Sequence, residues 1–157
     1  FYIVLLLGKG GENLKTSGGF LMAQIRHVSG RAFNKILKEK GIDAFNGAQG
    51  KILYVLWEKG SMPISQIKKF TSLANTTLTG MLDHLEKSGL VTRAINPANR
   101  RQVIVSLTPL AESLKNDCDD VSRITSEIFY AGFQEEEIIA FENMLRRILR
   151  NYTERGY

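Results

Sequence analysis

The chain has 157 residues and a mass of 17.6 kDa, a size typical of one domain or one compact protomer. Apolar residues make up 43% and charged residues 24% of it, which excludes disordered, collagen-like and low-complexity proteins. Cys118 is the single cysteine, so an internal disulfide and zinc modules built on two or more cysteines are also excluded. A reducing, cytoplasmic location is the simplest interpretation of that cysteine count.

The charge is unevenly distributed along the chain. The formal net charge is +5 and the pI is about 9.4. Residues 1–107 hold 15 Lys/Arg against 6 Asp/Glu, whereas residues 108–157 hold 6 against 10. A basic body with an acidic C-terminal segment indicates a polyanionic partner for the first part, and the alternative is a solvated basic surface without a partner.

Residues 1–12 form an N-terminal extension whose role the sequence leaves open. Residues 1–7 are the longest apolar run, too short to span a bilayer and without the pattern of a signal peptide. Residues 8–11 (GKGG) are typical of a flexible joint and lack the spacing of a Walker phosphate-binding loop. The chain begins without Met, and three interpretations stay open: a cloning remnant, an extension packed on a partner, or a short strand.

Apolar residues spaced three and four apart predict a helix over residues 13–40, which Gly41 closes. A second helix is predicted over residues 48–59. A short third helix is predicted over residues 64–70, with Pro63 at its first turn, where a missing N–H has no cost.

A tight connection over residues 72–75 leads into a longer helix, which Asn75 is expected to cap and Gly89 to stop. The short helix, the connection and the longer helix together have helix-turn-helix geometry. Two β-prone runs follow, residues 90–95 and 102–107, around a polar turn. They predict a β-hairpin after the longer helix, which is a wing.

The C-terminal third is predicted to be helical. Thr108 is expected as the N-cap and Pro109 as the first residue of a long helix that runs to about Tyr130. Gly132 ends that helix. A last helix is predicted over residues 134–152, with three glutamates in its first turn, where they complement the helix dipole.

Three segments carry a specific resemblance to a known family. Residues 85–93 (LEKSGLVTR), 96–101 (NPANRR) and 103–108 (VIVSLT) resemble the LExxGLVxR, DPxDxR and VxLT motifs of the MarR family, the winged helix-turn-helix regulators named for multiple antibiotic resistance. Thr77 and Thr79 fit the Thr-rich start of that family's recognition helix. The resemblance covers residues 13–152, and its specific part is residues 85–108.

The resemblance implies a mainly α fold with a small β-wing, in which N- and C-terminal helices form a dimerisation region. The implied domains are the N-terminal extension (residues 1–12), an N-terminal dimerisation helix and loop (13–47), a winged helix-turn-helix DNA-binding lobe (48–107) and C-terminal dimerisation helices (108–157). The implied function is that of a homodimeric transcriptional regulator, usually a repressor, which binds double-stranded DNA at a pseudo-palindromic site. No cofactor is implied.

The residues expected to contact DNA lie on the recognition helix, the helix before it and the wing. They are Lys68, Lys69, Asn75, Thr76, Thr77, Thr79, Arg93, Arg100 and Arg101. The hydroxyls suit phosphates or base edges in the major groove, although Asn75 and Thr76 also suit a purely capping role. Arg101 matches the family's wing-tip arginine, which fits a narrow A·T-rich minor groove. Arg100 is expected at phosphate, Arg93 either at the DNA backbone or paired with an acid, and the two lysines at phosphate or in a solvated face.

The chain departs from the family at four positions. Asn96 and Asn99 stand where the family usually has Asp, and a neutral amide is a weaker partner for arginine than a carboxylate, which predicts a looser wing. Gly80 and His84 stand where members often carry Arg, so arginine readout is absent there. The alternative function is therefore a winged-helix interaction or dimerisation module without specific DNA readout.

The apolar stripes of the flanking helices are the expected dimer interface, and an ordinary intramolecular core is the alternative. The predicted dimerisation residues are Leu21, Ile25, Ile138, Phe141, Leu145, Ile148 and Leu149. Family members often bind small anionic or aromatic effectors between the dimer helices and the winged lobe. The candidate effector-pocket residues are Arg26, Phe33, Tyr54 and Trp57, for which an aromatic core is the alternative.

Neither a metal site nor a redox or catalytic site is expected. Cys118 has three aspartates beside it, which raise the pKa of a thiol and so disfavour a redox sensor. His27 and His84 lie in different predicted helices, and no compact ligand cluster accompanies them. No set of nucleophile, base and orienting residue is present, which disfavours an enzyme.

Overall fold

The computed structural model describes residues 6–7 and 14–156. Its elements in chain order are β1 (Leu6–Leu7), β2 (Leu14–Lys15), α1 (Gly18–Glu39), α2 (Gly47–Lys59), β3 (Met62–Pro63), α3 (Ile64–Thr71), α4 (Asn75–Lys87), β4 (Val91–Asn96), β5 (Asn99–Leu107), α5 (Pro109–Ser113), α6 (Lys115–Phe129) and α7 (Glu135–Thr153). The fold is mainly α with a small β-wing, which confirms the predicted class. The chain divides into two compact units, residues 1–122 and 123–157. Among the described residues, no helix is both long enough and apolar enough to cross a membrane.

The first helix starts later than predicted. The sequence predicts helix from residue 13, but β1 and β2 pair antiparallel, with Leu7 opposite Leu14. Because residues in a strand pair cannot also be helical, α1 begins only at Gly18. A short strand, one of the three interpretations of the N-terminal extension, is present at residues 6–7, and the rest of residues 1–12 lies outside the described residues.

The core of the first unit is built around α2. Asn46 caps this helix, because its side chain accepts hydrogen bonds from the backbone N–H groups of Ala48 and Gln49 at 3.0 and 3.1 Å. The Gln49 side chain accepts the Asn46 N–H at 2.9 Å in return, which completes a capping box. The largest fully buried side chains of the unit are Leu37, Ile52, Leu53, Leu56, Ile67, Leu78, Leu82, Leu85, Leu90, Val91, Val105 and Val121. Apart from Leu90, which lies between α4 and β4, these residues come from five helices and two strands, so the core joins the helix-turn-helix to the wing.

The predicted helix-turn-helix is present, but with a different cap. Ser72 follows α3 with a φ of 54°, and this left-handed residue turns the chain toward α4. The prediction that Asn75 caps α4 is wrong, because Ala74 occupies the N-cap and Asn75 is the first helical residue. The helix buries one stripe of leucines, which leaves its opposite face to solvent. That stripe comprises Leu78, Leu82 and Leu85.

The wing has one strand more than predicted. β4 and β5 form the predicted antiparallel hairpin, with Val91 opposite Leu107. β3 pairs with the other side of β5, with Met62 opposite Val105, so the strand order is β3-β5-β4. Pro63 therefore lies in an edge strand and at the N-cap of α3, not inside the first helical turn as predicted. An edge strand tolerates proline because its outer N–H positions need no ladder partner.

Thr108 caps α5 as predicted. Its hydroxyl accepts the Ala111 N–H at 3.2 Å and donates to the Gly89 carbonyl at 2.6 Å, which ties α5 to the end of the α4 segment. The single long helix predicted from this cap to Tyr130 is wrong, because the chain breaks at Leu114 into α5 and α6. The Leu114 N–H donates to the Ala111 carbonyl, three residues earlier, and this tighter turn interrupts the α-helical pattern.

The second unit is a helical hairpin made by the end of α6 and by α7. Gly132, with a φ of 85°, ends the first helix as predicted, and Gln134 forms a capping box with Glu137 at the start of α7. The rings of the hairpin pack with centroids 4.9 to 6.2 Å apart and belong to Phe129, Tyr130, Phe133 and Phe141. The Tyr130 hydroxyl donates to Glu142 at 3.0 Å, a bond that raises the pKa of Tyr130 and joins the two helices.

Candidate nucleic-acid interface

The exposed face of α4 carries the polar residues that the sequence assigns to DNA. Asn75, Thr76, Thr77 and Thr79 are all exposed in the first part of this helix. The Thr79 hydroxyl donates to the Asn75 carbonyl at 2.9 Å and keeps its acceptor lone pairs free. In the part of the chain that the structure describes, no protein hydrogen bond engages the hydroxyls of Thr76 and Thr77. These two side chains are therefore available to a ligand.

The next turn of α4 has empty space beside Gly80, where other residues would place a side chain. A Cβ atom added at Gly80 would meet no heavy atom within 4 Å, and His84, one turn further, is exposed. A partner's backbone can approach this turn closely because no side chain intervenes at Gly80. The arginines that the family often has at these two positions have no counterpart on this face.

Lysines gather at the end of α3. Lys68 and Lys69 are exposed in its last turn, as the sequence predicts for phosphate-contacting residues. The ammonium of Lys59, at the end of α2, lies 4.8 Å from the centroid of the Phe70 ring, which is 48% exposed. This cation–π contact brings a third positive charge to the same end of α3. Sequence reasoning misses Lys59 because the two partners lie on different helices and no periodic pattern links them.

The wing tip is positively charged and has no acid near it in sequence. Arg100 and Arg101 are both exposed. Residues 87–111 contain no Asp or Glu. Within the described residues, neither guanidinium forms an ion pair. Both arginines are therefore available to an anionic partner.

The wing tip is closed by neutral groups. The Asn96 amide donates to the Gln102 side-chain oxygen at 3.0 Å and accepts the Ala98 N–H at 3.0 Å. The Asn99 side chain accepts the Arg101 backbone N–H at 3.2 Å. Amide and backbone groups are the partners of these two asparagines, where the family's motif has Asp, and the looser wing stays a prediction.

Arg93 clamps the wing to α4. Its Nη1 lies 2.8 Å from Asp83 Oδ1, its Nε lies 3.0 Å from Glu86 Oε2, and its Nη2 also bonds that oxygen. The hydrogen bonds from Arg93 lower the pKa of the Glu86 carboxyl, and Glu86 in turn raises the pKa of Arg93. Of the two interpretations of Arg93, the structure shows pairing with acids. The clamp also places one positive charge against two carboxylates of α4.

The four predicted effector-pocket residues differ in their surroundings. Phe33 packs on the core and against α2, where a Cβ atom at Gly47 would lie 2.7 Å from its ring. Trp57 is half-buried, and its Nε1 is buried without a hydrogen-bond partner among the described residues. Tyr54, 59% exposed, and Arg26 lie in solvent. In the described part of the chain no hydrogen bond, ion pair or ring contact joins any two of the four, so the pocket stays a prediction.

Cys118 is a buried structural residue of α6. Burial, and after it the charges of Asp117 and Asp119, raise the pKa of this thiol from 9.0 to about 11. A thiol with that pKa carries almost no thiolate at neutral pH and is a poor nucleophile. Across residues 6–7 and 14–156, no three His, Cys, Asp or Glu side chains come together as a metal site.

Alkylation by iodoacetamide at neutral pH tests the state of Cys118. The native protein is expected to react more than about tenfold more slowly than the urea-unfolded chain, because unfolding exposes the thiol and lowers its pKa toward the ordinary value. The reaction of the native protein is expected to accelerate only as the pH approaches the raised pKa of about 11. Equal rates for the native and unfolded chains at neutral pH would contradict the burial of this residue.

Each unit leaves large apolar side chains exposed. Those of α1 are 44% to 55% exposed and comprise Phe20, Leu21, Met22, Ile25 and Val28. Those of the second unit are 37% to 62% exposed and comprise Ile128, Phe129, Phe133, Ile139, Met144, Ile148, Leu149 and Tyr152. The other predicted dimerisation residues, Ile138, Phe141 and Leu145, are half-buried. Apolar surface of this extent is typical of an interaction site rather than of free solvent-facing surface.

Comparisons with known proteins agree with this geometry. The profile of the MarR family matches residues 45–103, which include the helix-turn-helix and most of the wing hairpin. Two similar proteins are HTH-type transcriptional regulators of Bacillus subtilis. YsmB, described as uncharacterized, is 30% identical over 129 residues, which cover 79% of this chain and 85% of YsmB. MhqR is 30% identical over 117 residues, which cover 73% of this chain and 77% of MhqR.

Solved structures share the fold. A mutant of MarR from E. coli in complex with operator DNA superposes with a TM-score of 0.76 at 26% identity, and the match covers 83% of this chain and 92% of that one. BpsR of Bordetella bronchiseptica, whose DNA binding is regulated by 6-hydroxynicotinic acid, has a TM-score of 0.77 at 22% identity, with coverage of 88% and 97%. At that identity, the likeness to BpsR concerns the fold alone.

Proposed function

This chain belongs to the MarR family of transcriptional regulators, and from that premise we propose that it represses transcription by binding double-stranded DNA at a specific sequence. The observation that carries the proposal is the exposed polar face of α4, clamped through Arg93 to a wing whose tip bears two exposed arginines. A major groove admits a helix and a minor groove admits an arginine, so a duplex suits both features. The operator complex of the E. coli MarR mutant supports this use of the fold.

The proposed contacts are of two kinds: some position the protein on the DNA, and others read the base sequence. The hydroxyl and amide groups of α4 enter the major groove, and Arg101 enters the adjacent minor groove. Arg100 and the lysines at the end of α3 bind phosphates, which supplies salt-dependent affinity without sequence information. Function consists of binding alone, and no residue has a catalytic role.

A homodimer completes the proposal. The exposed apolar side chains of α1 and of the second unit give each protomer surface to bury against a second copy. A two-fold dimer binds two half-sites about 10 bp apart, which together form a pseudo-palindrome.

Release by a small aromatic or anionic effector is a further part of the proposal. Substitution of the half-buried Trp57 by Phe tests it, because loss of effector response with intact DNA binding would place the ligand at that side chain.

Selection of sites from a random duplex library at near-physiological salt, followed by fluorescence anisotropy on the enriched duplex, tests the function. Enrichment of a pseudo-palindrome with half-sites about 10 bp apart is the expected result. A transcription assay with that site upstream of a reporter then distinguishes a repressor from an activator. Salt-sensitive binding without any enriched sequence would contradict specific regulation.

A second candidate function is favoured by one observation. The middle of the exposed α4 face has an open Gly80 and no arginine, which reduces direct base readout. A winged-helix module that serves protein contact or dimerisation, without specific DNA readout, would leave this face as it is. Binding that is weak and equal for all duplexes in the selection is the result that this alternative predicts.

The role of the Arg93 clamp can be separated from that of a phosphate contact. Arg93→Gln is expected to lower the thermal midpoint, because Asp83 and Glu86 lose their counter-charge. It is also expected to weaken DNA binding while the slope of log affinity against log salt stays unchanged, since Arg93 orients the wing and neutralises no phosphate. Anisotropy titrations at several salt concentrations measure both quantities, with Lys38→Gln on α1 as a control of equal charge. A slope smaller by about 0.9 per protomer would show that the Arg93 charge displaces counterions from DNA instead.

A further inference from the structure

The side chains of Asn96 and Gln102 form what we call the amide clasp. Asn96 is the last residue of β4 and Gln102 lies in β5, on the other side of the turn. Both residues are half-buried, and their side chains are joined by the 3.0 Å hydrogen bond from Asn96 Nδ2 to Gln102 Oε1. Because Asn96 Oδ1 also accepts the Ala98 N–H at 3.0 Å, both ends of one amide are occupied. One side chain thus connects the two strands and the turn between them.

The backbone hydrogen bonds between β4 and β5 do not by themselves fix the conformation of the wing tip. The register of the β4–β5 pair is irregular between Ile95 and Asn96, at the end of the hairpin that carries Arg100 and Arg101. Irregularities of this kind redirect side chains and interrupt the backbone ladder. The hydrogen bond from the Arg101 backbone N–H to the Asn99 side chain, at 3.2 Å, holds the backbone on the far side of the turn. Side-chain amides therefore supply the order that the ladder does not.

The clasp consists of amides and not of a carboxylate, and this difference affects the charges of Arg100 and Arg101. A carboxylate at the same place would attract a tip arginine, and that ion pair would have to break before the arginine binds an anion. The clasp is neutral, and residues 87–111 contain no acid at all. Arg100 and Arg101 are exposed and, within the described residues, unpaired.

We infer that Asn96 and Gln102 are positioning residues of the wing, which orient Arg100 and Arg101 for DNA without engaging either guanidinium. The inference rests on the proposed DNA binding and deepens it. The clasp orders the turn before DNA arrives, so the wing binds without first ordering its tip. It also leaves both charges available, so the wing contributes its full share of counterion release.

The clasp is tested first in the free protein. In Asn96→Ala, hydrogen exchange of the Ala98 amide, followed by NMR, is expected to be about tenfold faster than in the wild type, because its acceptor is lost. Asn96→Asp is expected to retain the protection, since a carboxylate still accepts that N–H and the Gln102 amide can turn to donate to it. Asn151→Ala, which removes an exposed amide of α7, is the control and is expected to leave the Ala98 amide unchanged. Unchanged exchange in Asn96→Ala would overturn the clasp.

The effect on DNA is then measured by anisotropy with the selected duplex, at several salt concentrations. Asn96→Ala is expected to bind about fivefold to tenfold more weakly with an unchanged salt slope, because geometry is lost and charge is kept. Arg101→Ala, in contrast, is expected to lower the slope by about 0.9 per protomer. Gln102→Met repeats the test from the other end of the clasp and is expected to match Asn96→Ala.

The two proposals fail in different ways. Wild-type affinity in both Asn96→Ala and Gln102→Met, with a normally binding wild type, would overturn the positioning role and leave the proposed function intact. A wild type that binds no duplex would overturn the proposed function and, with it, the DNA role of the clasp.

Discussion

Replacement of Arg100 and Arg101 together by alanine is expected to weaken binding to the selected duplex at least about tenfold near physiological salt. The salt slope is expected to fall by about 1.8 per protomer, because two charges that displace counterions are lost. The change removes charge and keeps the turn, since the backbone N–H of residue 101 still donates to Asn99 and the clasp between Asn96 and Gln102 is untouched. Anisotropy titrations over a range of salt concentrations measure both effects.

The control for this variant is Arg147→Ala with Arg150→Ala. These two arginines are exposed on α7, outside the wing in sequence, and their loss removes the same amount of charge. Their loss is expected to change the salt slope much less than loss of the wing arginines. A repeated site selection with Arg101→Ala adds a readout of specificity, because loss of a minor-groove arginine relaxes the preference for narrow A·T-rich sequence. Equal slopes for the wing variant and the wild type would remove the wing from the DNA interface.

Features that combine a local pattern with a local stop could be predicted from the sequence. α4 has a stripe of leucines that ends at Gly89, whose φ of 70° suits glycine, and Thr108 with Pro109 starts α5. The wing hairpin has two β-prone runs around a turn. In each case the residues that determine the structure lie within a few positions of one another, so one stretch of sequence contains all the information.

Other features depend on partners that are distant in sequence. β3 has two residues and no periodicity, and it exists because Met62 meets Val105 on the edge of β5. The break at Leu114 arises from a hydrogen bond one residue shorter than the helical one, for which no glycine or proline gives a signal. Length and composition could not reveal either feature.

The candidate site shows the same division. The types and positions of Arg100 and Arg101 are readable because a wing tip is a local structure. The partners of Arg93 are not, since contact with Asp83 and Glu86 depends on how β4 passes α4. The partner of Asn96 could not be predicted either, because the Gln102 amide that it bonds lies on the opposite strand.

The second large effect is expected at the proposed dimer interface. Leu149 is 62% exposed on α7, so Leu149→Asp is expected to leave the protomer folded, as judged by circular dichroism. In the dimer, the new carboxylate would be buried without a partner, at a cost of about 3–5 kcal/mol, which weakens association by about 100-fold or more. Sedimentation velocity at micromolar protein is expected to show a dimer for the wild type and a monomer for the variant.

This experiment must separate the effect of placing a charge at residue 149 from the effect of adding a charge to α7. Asn151→Asp introduces the same carboxylate two residues further along α7, at an exposed polar residue, and is expected to remain dimeric. Leu145 is half-buried within its own unit, so its substitution by Asp would confound folding with association. A monomer is also expected to lose the coupling between two half-sites and to bind the pseudo-palindrome no better than a single half-site. A Leu149→Asp protein that stays dimeric at micromolar concentration would show that protomers associate through another surface.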